Sequence, residues 1–176
     1  IGVFRYAFAV IAMAMTVNVF AANLYAGMQA MAHGDYPAAL DELLPLAEAG
    51  DPQAQESLGI MYAEGWGVVH DDAQAVQWLR KSADQGDAPA QESLGQMYKN
   101  GTGVVQDYAQ ALRWIRKAVD QGDAGAQGML GRMYFQGEGV VRDDAQAVQW
   151  LRKAADQGDA GAQGMLGRMY FQGEGV

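Results

Sequence analysis

The chain has 176 residues, half of them apolar, with a formal charge of −9 and no cysteine. That charge excludes it as a nucleic-acid binder, which needs basic patches, and sets it against an anionic membrane surface. The missing cysteine removes a disulfide framework, a thiolate zinc site and a cysteine nucleophile.

At the N-terminus, Arg5 precedes the apolar run YAFAVIAMAMTV, and Val19-Phe20-Ala21 follows. This predicts a secretory signal over residues 1–21 with cleavage after Ala21. An uncleaved membrane anchor is the alternative, because Val3 to Ala22 approaches the roughly 20 residues a span needs. The alanine content, Thr16 and Asn18 favour the signal. The first residue is Ile rather than Met, which suggests an incomplete start. With the signal removed, a periplasmic or secreted protein of a Gram-negative bacterium is expected, with no membrane contact.

Residues 22–50 read as a helix from about Ala22 to Met31 and a second over Asp35–Ala49, an N-terminal capping pair. Beyond them, Gly50-Asp51 returns as Gly86-Asp87, Gly122-Asp123 and Gly158-Asp159, a period of 36. A period of that size marks a solenoid, in which each unit buries its apolar face only against its neighbours.

Each period holds two helical patterns and no strand. Helix A starts near Pro52 behind the N-cap Asp51 and ends near Ala63, before Gly65 and Gly67. Ala54, Leu58, Met61 and Tyr62 share its buried face. Val68-Val69 is expected to pin the following loop. Helix B starts at Asp71, which with Gln74 resembles a capping box, and buries Ala75, Trp78, Leu79 and Ala83. Residues 51–176 thus form three full helix pairs and a half repeat, Ala160–Phe171, whose Leu166, Met169 and Tyr170 would lie partly bare. The array is expected to be a fragment of a longer one, or to pair with another chain through this last helix. Asp120–Val140 is repeated letter for letter at Asp156–Val176, which points to a recent tandem duplication.

The string AQESLGIMYAEGWGVVHDDAQAVQWLRKSADQGD resembles the Sel-one-like repeat, a relative of the tetratricopeptide repeat. Ala54, Leu58, Gly59, Tyr62, Gly65, Gly67, Val68, Asp71, Ala75, Trp78, Lys81, Ala83, Gly86 and Asp87 carry the likeness. It recurs at Ala90–Asp123 and Ala126–Asp159, and half of it at Ala162–Val176. The resemblance implies an all-α, right-handed α-solenoid of antiparallel helix pairs, acting as an adaptor for other proteins and often exported. Some cysteine-rich relatives are associated with penicillin binding or hydrolysis, so a cell-wall or β-lactam hydrolase is the enzyme alternative. A turnover assay on labelled substrate separates the two.

Positions that match between repeats are packing positions. Those that differ within helix A are Gln53, Glu56, Ser57, Ile60, Ala63 and Glu64, and of these Gln53, Glu56, Ile60 and Ala63 or Glu64 share one stripe, by spacings of three and four. The stripe carries Gln53, Glu56, Ile60 and Glu64, then Glu92, Gln96, Lys99 and Asn100. Arg132, Phe135 and Gln136 follow, then Arg168, Phe171 and Gln172. This is the expected concave groove for a peptide or partner protein, apolar and basic towards its C-terminal end, with Gly128 and Gly164 leaving room. The other reading leaves the stripe in solvent with Phe135 tucked under the next repeat. Trp66 stands where the other loops have Thr102, Glu138 and Glu174. It is read as cover for the N-terminal cap or as a partner contact.

Other candidates reduce to structure. His33 and His70 are read as solvent-facing. Asp71-Asp72 and Asp143-Asp144 are a cap followed by a first-turn charge. The GxG loops follow helices, not strands, and lack the phosphate-loop lysine. Trp78, Trp114 and Trp150 are read as core. Arg80-Lys81, Arg116-Lys117 and Arg152-Lys153 are read as a solvated face, with Asp84, Asp120 and Asp156 four residues after each Arg. No cofactor, metal or catalytic residue is expected.

Overall fold

The computed structural model describes residues 21–174. The signal and anchor readings therefore lie outside the described residues, apart from Ala21 and Ala22. Nine helices account for all regular structure among the described residues. α1 covers residues 21–32. It is followed by α2 (Tyr36–Glu48), α3 (Pro52–Glu64), α4 (Asp72–Asp84), α5 (Ala88–Asn100), α6 (Tyr108–Asp120), α7 (Ala124–Gln136), α8 (Asp144–Asp156) and α9 (Ala160–Gln172). α3, α5, α7 and α9 are the A helices, and α4, α6 and α8 the B helices. No described helix is long and apolar enough to cross a membrane.

Each helix has local start and stop signals. The side chains of Asp51, Asp87, Asp123 and Asp159 accept the amides of Ala54, Ala90, Ala126 and Ala162 at 2.9, 2.8, 2.7 and 2.6 Å. Gly65, Gly101, Gly137 and Gly173 end the A helices in the left-handed conformation, which spares the Cβ penalty. The B-helix caps depart from the expected reciprocal box. Asp71 accepts from the Gln74 amide at 3.0 Å, but its own amide donates to the Tyr62 carbonyl at 3.0 Å. That bond closes the loop, so the cap's N–H is already satisfied and Gln74 has no return bond to make.

Each helix packs chiefly on its neighbours in sequence, so that the core runs as a chain of clusters. One cluster joins Leu79 and Ala83 of α4 to Leu94 and Met97 of α5 and Trp114 of α6. Trp78 and Trp150 occupy the corresponding places in the clusters before and after it. Gly59, inside α3, earns its helix-propensity penalty through close approach: a Cβ there would sit 2.5 Å from Leu79 Cγ.

Two loop and surface expectations need correction. Val68 packs on the core, whereas Val69 is 87% exposed, and Val105 and Val141 behave likewise. One valine per loop is enough to anchor it. The Arg-Lys pairs are exposed apart from half-buried Lys117, but five of the six side chains have ordered partners. Lys81, Lys117 and Lys153 lie over the rings of Trp78, Trp114 and Trp150 at 3.8, 4.0 and 4.0 Å. Arg80 and Arg152 bond the hydroxyls of Tyr98 and Tyr170. Among the described residues no ion pair to Asp84, Asp120 or Asp156 forms within 4.0 Å. The aromatic ring and the phenol hold these cations on the helix surface instead.

A buried glutamine ladder is the main packing feature that the periodic pattern does not reveal. Gln91 is 3% exposed. It donates to the Ala83 carbonyl at 3.0 Å and accepts from Gln121 Nε2 at 2.9 Å. Gln55 repeats this with Ala47 and Gln85. Replacing Gln91 with leucine is expected to cost about 1 kcal/mol, because the Ala83 carbonyl keeps only its backbone donors, among them the Gly86 amide, and Gln121 loses an acceptor. Gln121 keeps its bond to the Gly86 carbonyl, which limits the loss. Urea denaturation of the variant measures it.

Candidate functional site

The stripe is built by the register of the A helices. Leu58 and Met61 of α3 are fully buried, and this rotates Gln53 and Glu64 to the surface, with Glu56 and Ile60 half-buried. The same rotation in α5 leaves Glu92, Gln96 and Lys99 half-buried and Asn100 exposed. Between these two helices opens a cleft of about 340 Å³. Ile60, Glu64, Glu92, Gln96 and Asn100 of the stripe line it, with Ala63, Leu79 and Met97 as apolar wall. Five stripe residues from two helices therefore meet at one concavity.

Electrostatics distinguishes this end. Burial pushes the Glu56 carboxyl up to about 7, and the carboxylate of Asp87, the α5 cap, adds to the rise. Glu92 is also raised, first by burial and then by Asp123, the α7 cap; Asp159 adds to the rise and Arg132 works against it. Shifts from burial and crowded like charge are common at functional sites.

Towards the C-terminal end the stripe does not stay one open surface. Lys99 turns to Glu138 in the next repeat's loop, with Nζ 3.4 Å from Oε2. Phe135 is half-buried against the core of α8 and α9, with the Arg142 guanidinium 5.0 Å from its ring centre. Arg132 is half-buried and Gln136 exposed. Phe171 is 93% exposed, and Arg168 and Gln172 are exposed with it. Gly128 leaves no free room: it is buried, and a Cβ there would lie 3.3 Å from Asp159 Oδ1. Around Gly164 nothing lies within 4 Å.

Trp66 stacks on Tyr36 of α2, with ring centres 5.1 Å apart and planes 10° apart. It stands away from the cleft lining, half-buried over the N-terminal core. His33 bonds the Gln29 carbonyl, and His70 faces Asp72 at 3.3 Å; both rings are exposed. Asp144 is gripped by Arg142 at 2.8 and 3.1 Å, which lowers its pKa. Among the described residues no three His, Cys, Asp or Glu side chains gather at metal-binding distance.

A larger cleft of about 630 Å³ opens between repeats, walled by α4, α5, α6 and the loop after α5. Arg80, Arg113, Asp84 and Asp107 line it together with Tyr98 and Val105. Its charges have both signs, and Asp107 is already committed as a cap. It contains none of the stripe residues.

Comparison with known proteins bears on the whole arrangement. The Sel1 repeat family model matches residues 52–87, 88–123, 124–159 and 160–176. Comparison with curated proteins gives no match. A protective antigen of uropathogenic Escherichia coli strains with an SLR fold is 41% identical, with a TM-score of 0.79 over 89% of this chain and 34% of that one. A Sel1 repeat protein from Oxalobacter formigenes is 36% identical, with a TM-score of 0.79 over 88% of this chain and 61% of that one. The cysteine-rich protein B of Helicobacter pylori is 26% identical, with a TM-score of 0.58 over 75% of this chain and 95% of that one. This chain thus spans about a third of the Escherichia coli antigen and 61% of the Oxalobacter protein. The period of 36, the aspartate caps, the glycine-ended A helices and the four matched units agree, and the chain belongs to the Sel1 repeat family.

Proposed function

We propose that the chain is an interaction scaffold that binds a peptide or partner protein along the A-helix stripe. The observation that carries this reading is the cleft between α3 and α5, where five residues that differ between repeats converge. Most residues that recur are packing positions, whereas these five differ. Gln53, Glu56, Ile60, Glu64, Glu92, Gln96 and Asn100 form the N-terminal half of the surface. Arg132, Gln136, Arg168, Phe171 and Gln172 extend it. Lys99, Phe135 and Trp66 have intramolecular partners and serve at its margins. Export to the periplasm or beyond fits the apolar leader in the sequence and the bacterial relatives, one of them described as a protective antigen.

Site-specific photo-crosslinking in the native envelope tests the reading. Probes at Ile60 and Gln96 are expected to give one discrete protein adduct, and a probe at exposed Gln77 on α4 none. Equal labelling from all three positions would sink it.

A further inference from the structure

The stripe changes sign along its length. At its N-terminal end the cleft is lined by apolar Ile60, Ala63, Leu79 and Met97, by exposed Glu64, and by half-buried Glu92, whose carboxylate lies against Gly125 of α7. Neither Glu64 nor Glu92 has a basic side chain within 4.0 Å among the described residues, although Arg132 acts on Glu92 from further off. A third acid in the lining, Asp72, faces His70 at 3.3 Å.

The repeats themselves show that the fold does not require this chemistry. One period on, the places of Glu64 and Glu92 are taken by Asn100 and Gly128, and two periods on by Gln136 and Gly164. The place of Ile60 passes through Gln96 to Arg132 and Arg168. The backbone is the same each time: 13-residue A helices with an aspartate before and a left-handed glycine after. Among the described residues, Ile60, Glu64 and Glu92 thus come together at this cleft and not one or two periods on, where basic residues take the place of Ile60.

We propose that the cleft between α3 and α5 seats a lysine or arginine side chain of a basic peptide segment, which fixes the direction in which the groove takes its ligand. This rests on the reading of the stripe as the binding surface. A long basic side chain lays its methylenes on apolar surface and keeps its charge at the rim. Here the apolar lining takes the methylenes, and Glu64 and Glu92 take the charge through charge-assisted hydrogen bonds. The cleft volume is at the small end for ligand sites, which suits one side chain rather than a whole small molecule. The net charge of −9 steers a cationic partner towards the protein. Arg132, which faces Glu92 from α7, disfavours a second cation further along. The basic residue therefore lies at the α3 end, and uncharged or acidic residues follow towards α7 and α9.

The test is an NMR titration of the whole chain with acetyl-Ala-Lys-Leu-Ala-Ala-amide and with the same peptide carrying glutamine for the lysine. The lysine peptide is expected to bind saturably, with amide shifts centred on Ile60, Glu64, Glu92 and Gln96. The double variant E64Q/E92Q should weaken it about tenfold, and Gln77→Ala should leave it unchanged. If the glutamine peptide binds the stripe equally well, the basic seat is wrong and the groove stands. Undiminished binding to E64Q/E92Q, shifts centred elsewhere, or no saturable binding of the lysine peptide each overturn the proposal. The crosslinking at Ile60 and Gln96 then decides the groove independently.

Discussion

Replacing Gly103 with alanine is expected to lower the free energy of unfolding by about 3 kcal/mol. Two costs add. Gly103 has φ +67°, a left-handed conformation that costs an L-residue about 1–2 kcal/mol. A Cβ there would also lie 2.3 Å from the Asp72 carbonyl oxygen and 2.6 Å from its carbonyl carbon. Those atoms belong to the first residue of α4, next to the Asp71 cap, so they cannot yield without disturbing the helix start. Gly67 and Gly139 lie against Tyr36 and Tyr108 in the same way, and these are the first residues of α2 and α6. The second glycine of the loops after α3, α5 and α7 therefore rests on the start of α2, α4 and α6 in turn and sets how one pair stacks on the last. Gly86 provides the control, since it has φ +100° and nothing within 4 Å of a notional Cβ. Gly86→Ala should lose only the backbone share, about 1.5 kcal/mol. Urea denaturation of both variants separates the terms, and equal losses would rule out the close approach.

What the sequence made legible is what depends on one or two neighbouring residues. Asp51 and Asp71 cap because a short carboxylate reaches an amide three residues on. Gly65 and Gly101 end helices because they tolerate positive φ. The period of 36 then fixes the repeat, and the apolar stripe fixes which face of each helix is buried. Contacts between repeats were not legible in the same way. Lys99 and Ile60 lie on one stripe by helical spacing, yet Lys99 is drawn to Glu138, 39 residues away. Phe135 goes under Arg142 and onto α8 and α9, as the alternative reading of the stripe expected, and helical spacing alone does not choose between the two. Gln55 is 5% exposed although its polarity suggests solvent, because its partners lie 8 and 30 residues away. Periodicity assigns a residue to a face but does not say what that face meets.

At the candidate site the sharpest expected effect is a gain. Glu56→Gln should stabilise the protein by on the order of 2 kcal/mol at pH 8 and by almost nothing at pH 4. The Glu56 carboxyl is raised from 4.5 to about 7 by burial and then by Asp87. A carboxyl group whose folded value exceeds its unfolded one holds its proton more tightly in the fold. Its contribution is full below about pH 4.5, declines as the pH rises towards 7, and is gone above that. The interval corresponds to at most about 3 kcal/mol, and the water that still reaches the carboxylate reduces it. Glutamine has nearly the same shape and no charge to desolvate, so the variant should lack this decline. Urea denaturation of both proteins at pH 4 and pH 8 measures the difference. An equal gain at both values would assign the effect to packing rather than charge. Loss of stability at pH 8 would mean that the carboxylate has a favourable partner in the groove. A pH-dependent gain would show that the chain carries a charge its fold does not need, in the stripe where a ligand is proposed to lie, as in other sites where binding groups are kept against stability.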